Sequence, residues 1–66
     1  MISRSDEMIA RYIAAGCTPF EAKVLEIMAR TLCNVHKIED CAEQVAAMLE
    51  SGKSYIECAE WIKAQQ

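Results

Sequence analysis

Apolar positions along this chain fall into four helical stripes separated by short polar breaks, and no stretch alternates in the manner of a strand. In the first stripe Ile2, Ile9, Tyr12 and Ile13 share one side of a helix predicted over residues 5–15. Ser3 or Ser5 would cap it, and Asp6 and Glu7 lie in its first turn, where the helix dipole favours negative charge. The second helix is predicted from Pro19 to about Cys33 and has the widest apolar arc. Phe20, Val24, Leu25, Ile27, Met28, Ala29 and Leu32 cover nearly half the wheel, leaving Lys23, Glu26 and Arg30 as a narrow polar strip. An arc this wide predicts a core helix with neighbours on two sides. Residues 34–37 read as a linker, with Asn34 either ending the second helix or capping the third. The third helix, predicted over residues 38–50, turns Ile38, Cys41, Ala42, Val45, Met48 and Leu49 inward. The fourth, residues 55–64, turns Tyr55, Cys58, Ala59 and Ile62 inward, with Trp61 at the boundary and Glu57, Glu60 and Lys63 outside.

Two corners punctuate these stripes. Gly16-Cys17-Thr18-Pro19-Phe20-Glu21 closes one helix and opens the next, and Gly52-Lys53-Ser54-Tyr55-Ile56-Glu57 repeats the pattern in weaker form. Glycine just past a helix end enters a left-handed conformation without a Cβ clash. Thr18 and Ser54 are placed to accept from free N–H groups of the new helix, with Glu21 and Glu57 three residues on to complete a capping box. Pro19 suits the first helical position, where no backbone donor is needed. The likeness runs backwards as well: Glu7, Ile9, Ala10, Tyr12, Ile13 and Gly16 match Glu43, Val45, Ala46, Met48, Leu49 and Gly52 at one offset. The expected fold is all-α, a compact bundle of four short helices forming a single domain over residues 1–66, open to description as two tandem helix–corner–helix units.

Composition sharpens this only a little. Sixty-six residues, 53% of them hydrophobic, suffice for one modest core and exclude a disordered chain. A net charge of −3 argues mildly against a general nucleic-acid binder and against attraction to anionic membranes. The first residues are polar, with no signal-peptide pattern, and no segment has the length to span a bilayer. The expectation is a cytoplasmic protein whose cysteines are reduced.

Candidate chemistry is sparse. Cys17, Cys33, Cys41 and Cys58 allow three pairings, among them a nested one, Cys33–Cys41 with Cys17–Cys58. They also serve as small core residues or helix-end residues without pairing. Zinc would take Cys33, His36 and Cys41 with Cys17 or Cys58, but only one close ligand pair is present where structural sites usually have two. No cofactor or metal is expected. The lone histidine has no evident nucleophile and carboxylate set around it, and no glycine-rich phosphate loop occurs, so the chain does not read as an enzyme. The corner between the first two helices has the outline of a helix-turn-helix, with phosphate contacts resting on Arg11, Lys23 and Arg30, but the second helix offers a mostly apolar face to bases.

Protein binding has more behind it. Glu39, Asp40, Glu43 and Glu50 fall on one side of the third helix as the only single-sign patch, suited to docking on a basic surface in place of phosphates. Trp61, with Tyr55 and Ile56 nearby, is placed to anchor an interface. In size, charge and helicity, and in the acidic stripe Glu39-Asp40-x-x-Glu43 with Glu50, the chain resembles small phage and mobile-element inhibitor proteins, anti-CRISPR proteins among them. That resemblance implies a non-enzymatic binder that blocks the nucleic-acid-binding surface of a protein complex, and it transfers no residue role. The alternatives are a small helix-turn-helix regulator and a cysteine-stapled or zinc-dependent structural domain. A homodimer is also compatible, because so small a bundle leaves apolar surface to share.

Overall fold

Four helices form, the first and last close to their expected bounds and the middle two each displaced by three residues at one end. In the computed structural model, which describes residues 3–36 and 39–65, α1 spans Arg4–Ala14, α2 Pro19–His36, α3 Cys41–Glu50 and α4 Tyr55–Ala64. Ser3 caps α1 by accepting from the Asp6 N–H at 3.1 Å, which decides between the two candidate serines. The expected positions of Ile2, Lys37 and Ile38 lie outside the described residues.

Both glycine corners close in the same way. Gly16 N–H donates to Ile13 O at 3.0 Å and Cys17 N–H to Tyr12 O at 3.1 Å. Gly52 N–H donates to Leu49 O at 3.1 Å and Lys53 N–H to Met48 O at 3.0 Å. This is the paired bonding of a Schellman end, and it needs the positive φ that both glycines adopt, 117° and 104°. The helices that follow are capped unequally. At α2 the box is reciprocal: Glu21 N–H donates to Thr18 Oγ1 at 3.2 Å, and Thr18 N–H donates to Glu21 Oε1 at 3.0 Å. At α4 only Glu57 N–H to Ser54 Oγ, 3.1 Å, repeats that scheme, and the Glu57 carboxylate takes the Ser54 hydroxyl instead.

One buried cluster draws on every helix: Met8 and Tyr12 from α1, Ala22, Leu25, Ala29 and Leu32 from α2, Cys41, Val45, Ala46 and Leu49 from α3, and Cys58 and Ile62 from α4. α2 touches each of the other three, as a core helix should, whereas α1 and α4 do not touch among the described residues.

Three expectations need correction. The segment 34–36 is not a linker, because α2 runs on to His36. Asn34, Val35 and His36 are all exposed, so continuing the helix buries no polar side chain. α1 does not turn Ile13 inward. Its inner face is centred on Met8 and Tyr12, and the Tyr12 hydroxyl donates to the Ala42 carbonyl at 2.9 Å, which fixes the rotation of α1 against α3. Most tellingly, the wide arc of α2 is not all core. Phe20 and Ile27 face solvent, while Glu26, assigned to the polar strip, is buried with 6% of its surface exposed. Its carboxylate meets Arg30 at 3.3 Å, which supplies the partner a buried charge requires.

Candidate functional site

The outer face of α2 is the largest unexplained feature of the surface. Phe20, Ile27 and Val35 are 74%, 47% and 64% exposed. With half-buried Val24 and exposed Thr31 they recur at helical spacing along one side of the helix, opposite the buried Ala22, Leu25, Ala29 and Leu32. A helix of 18 residues is about 27 Å long, and this stripe follows most of that length. On one flank stand Lys23, Arg30 and Asn34, all exposed, and on the other Glu21 and Met28, both half-buried. Arg30 is committed to Glu26, but Lys23 makes no ion pair among the described residues. Single exposed apolar residues are ordinary on protein surfaces, whereas a continuous stripe with a charged margin is what an interface presents.

Periodicity puts Phe20, Val24 and Ile27 of this stripe in the core arc of the helix, and Val35 in the linker that follows it. One signal could have placed them outside. Three short helices and their corners cannot cover nearly half the circumference of an 18-residue helix, so part of so wide an arc must remain open.

The acidic patch fares differently. α3 begins at Cys41, so Glu39 and Asp40 precede the helix rather than riding on it. Asp40 occupies the cap position with φ 56° and makes no side-chain cap bond, and Glu39 contributes its carbonyl to Gln44 Nε2 at 3.1 Å. Glu43 and Glu50 do share a side of α3, but Arg11 of α1 bonds to both, and Arg4 reaches Glu43 at 3.5 Å. The hydrogen bond from Arg11 holds the Glu43 carboxyl below its usual range, against a smaller opposing effect of desolvation. The same bonds raise the Arg11 guanidinium. The expected single-sign patch is therefore a mixed-sign seam between α1 and α3. Sequence reasoning missed it because the pairing of α1 with α3 joins residues 32–39 positions apart, which no local spacing reveals.

Tyr55 and Trp61 are half-buried and pack against the core. Tyr55 lines a cleft of about 430 Å³ at the end of the bundle where the two corners meet, together with Gly16, Cys17, Glu21, Lys53 and Ile56. The six residues expected to bind a partner, Glu39, Asp40, Glu43, Glu50, Tyr55 and Trp61, are thus divided among the α2–α3 turn, the α1–α3 seam and the inner side of α4. They do not make one surface.

A second groove, about 370 Å³, lies along the Arg30 flank of α2, lined by Arg4, Met8, Glu26, Cys33, Asn34 and Asp40 among others. The four cysteines are thiols, not disulfides, and their places follow the nested order: Cys33 lies against Cys41, and Cys17 is near enough to Cys58 to act on its ionisation. No three metal-ligating side chains gather among the described residues, and His36 is exposed in the last turn of α2, so the zinc arrangement drawn from sequence does not form there. No helix is long and apolar enough to cross a membrane among the described residues. Comparison with known proteins gives no match to a family model, a curated sequence or a solved structure.

Proposed function

We propose that this chain is a non-enzymatic protein-binding module that docks through the outer face of α2 into an apolar groove on a protein partner. The reading takes the protein as cytoplasmic. What carries it is the exposed stripe Phe20–Ile27–Val35 on a helix whose opposite side is fully committed to the core. An amphipathic helix set into a groove is read through anchors at this spacing. The flank charge adds chemistry to the partner: Lys23 has no counter-ion among the described residues, so the groove should carry an acidic rim on that side.

The inhibitor reading, in which an acidic face of α3 blocks a nucleic-acid-binding surface, survives as a narrower proposal. Much of that charge is neutralised within the molecule by Arg4 and Arg11, which leaves less to offer a basic cleft. The helix-turn-helix alternative would have α2 meet DNA with Phe20 and Ile27 outermost, and those side chains offer base edges no hydrogen bonds.

The faces are separable by experiment. Tagged wild-type chain and the variants Ile27→Asp, Lys23→Glu and Glu43→Gln are used to capture proteins from host lysate, and any candidate is purified and its affinity remeasured. The expected result is one partner whose binding falls at least tenfold for Ile27→Asp, falls less for Lys23→Glu and is unchanged for Glu43→Gln. Loss confined to Glu43→Gln would transfer the function to the α1–α3 seam. Light scattering that shows a stable wild-type dimer, monomeric as Ile27→Asp, would make a second copy the occupant and overturn the hetero-partner reading.

A further inference from the structure

Where α2 ends and α3 begins, two cysteines meet in an unusual capping arrangement. α3 starts without a side-chain cap from Asp40, yet its first N–H is not idle: Cys41 N–H donates to Cys33 Sγ at 3.3 Å. Cys33 also bears on the ionisation of the Cys41 thiol, so the two side chains are neighbours as well. The extension of α2 beyond Cys33 makes this possible, since it holds Cys33 on a rigid helical turn rather than in a linker.

The pair is asymmetric in access. Cys41 is fully buried, while Cys33 is half-buried and lines the 370 Å³ groove beside Arg30 and Asn34. The other pair, Cys17 and Cys58, is buried on both sides. Cys17 borders the cleft at the corners but is only 7% exposed, so Cys33 is the cysteine most open to a reagent in solution.

We propose that Cys33 is a thiol-modification site: it exchanges with a low-molecular-weight disulfide admitted by the groove, and Cys41 then displaces the adduct to leave a Cys33–Cys41 disulfide. In the first step Cys33, having lost its proton to solvent, bonds to one sulfur of the reagent RSSR and expels the other as RS⁻. In the second, the Cys41 sulfur loses its proton, bonds to Cys33 Sγ and breaks the bond between Cys33 and the reagent, expelling a second RS⁻. One disulfide is reduced to two thiols RSH, which take up the two protons, and the two protein thiols are oxidised to one disulfide. Burial, followed by the hydrogen bond with Cys33, pushes the Cys41 thiol up to about 11. Cys41 is thus the group that waits, and Cys33 the one that attacks the reagent first. The product ties the last turn of α2 to the first residue of α3. It is independent of the binding function proposed for the far side of α2.

The test uses the full chain and glutathione disulfide at mildly alkaline pH, sampled over time by intact mass and by tryptic mapping. Cleavage at Lys37 separates the cysteines onto the peptides Thr31–Lys37 and Ile38–Lys53, and Cys17 and Cys58 fall on two others, so every link is distinguishable. The expected course is a transient glutathione adduct on Cys33, then a monomer lighter by two hydrogens whose map shows Thr31–Lys37 joined to Ile38–Lys53. Cys41→Ala should stop at the Cys33 adduct. The proposal fails if Cys17 or Cys58 reacts as fast as Cys33. It fails equally if Cys33 resists the reagent, or if its adduct persists in the wild type without closing onto Cys41.

Discussion

Gly16 and Gly52 make the strictest single-residue demands in this fold. Their φ values lie where an L side chain is strained, yet a Cβ at either position would meet nothing within 4 Å. The cost of Gly16→Ala is therefore backbone strain alone, about 1–2 kcal/mol, to be read as a lower midpoint in urea with an unchanged slope. Asp40 is the opposite case. It holds φ 56° without gaining a side-chain cap bond, so Asp40→Gly relieves strain at no loss of contact and should raise stability by up to about 1 kcal/mol. Tyr12 ties α1 to α3 through its hydroxyl, and Tyr12→Phe should cost about 1 kcal/mol. Burial, and next the Glu26 carboxylate, raise its ionisation above the ordinary tyrosine range. Its contribution is complete below the unfolded value and is lost as pH rises past that value toward the folded one. The glycines were legible because their chemistry is local. The inward place of Tyr12 was legible too, but its hydrogen bond was not, because the acceptor lies thirty residues away along the chain and appears only after packing.

Between elements, the seam of α1 against α3 is where acid should act. Glu43 has a folded pKa below its unfolded one, so its pairing with Arg11 stabilises the fold above the ordinary carboxylate range. That contribution disappears as pH falls through the depressed folded value. Thermal melts should accordingly show wild type above Glu43→Gln near neutral pH, with the gap closing in acid, below the ordinary glutamate range. Both side chains are half-buried and still reached by solvent, so the gap is small and shrinks with added salt. The repeat seen in sequence is a repeat of corners, not of packing faces. Val45 and Leu49 are buried in α3, yet their counterparts in α1, Ile9 and Ile13, are half-buried and exposed. α1 is turned by about one residue relative to α3, since Met8 and Tyr12 take the inner side. Periodicity located both stripes, but neither the rotation of α1 nor the end of α2 was fixed by local preference. Glu26 shows why: whether a polar residue sits in a strip or in the core depends on which neighbour arrives, and here Arg30 followed it inside the same helix.

For the molecule as a whole, the arrangement separates stability from recognition. Ile27 is half exposed and lies opposite the core, so Ile27→Asp should shift stability by less than about 0.5 kcal/mol while abolishing partner binding. A melt that falls by several degrees would instead mean that the outer face helps hold the fold. The architecture also has a kinetic side. Because α1 and α4 do not touch each other, and each leans on α2 and α3, losing one removes no direct support from the other. Amide hydrogens of α1 and α4 should then exchange with deuterium through two separate partial openings that respond differently to denaturant. Those along the inner side of α2 should wait for the whole chain to open, which would make this small bundle three layers deep in time.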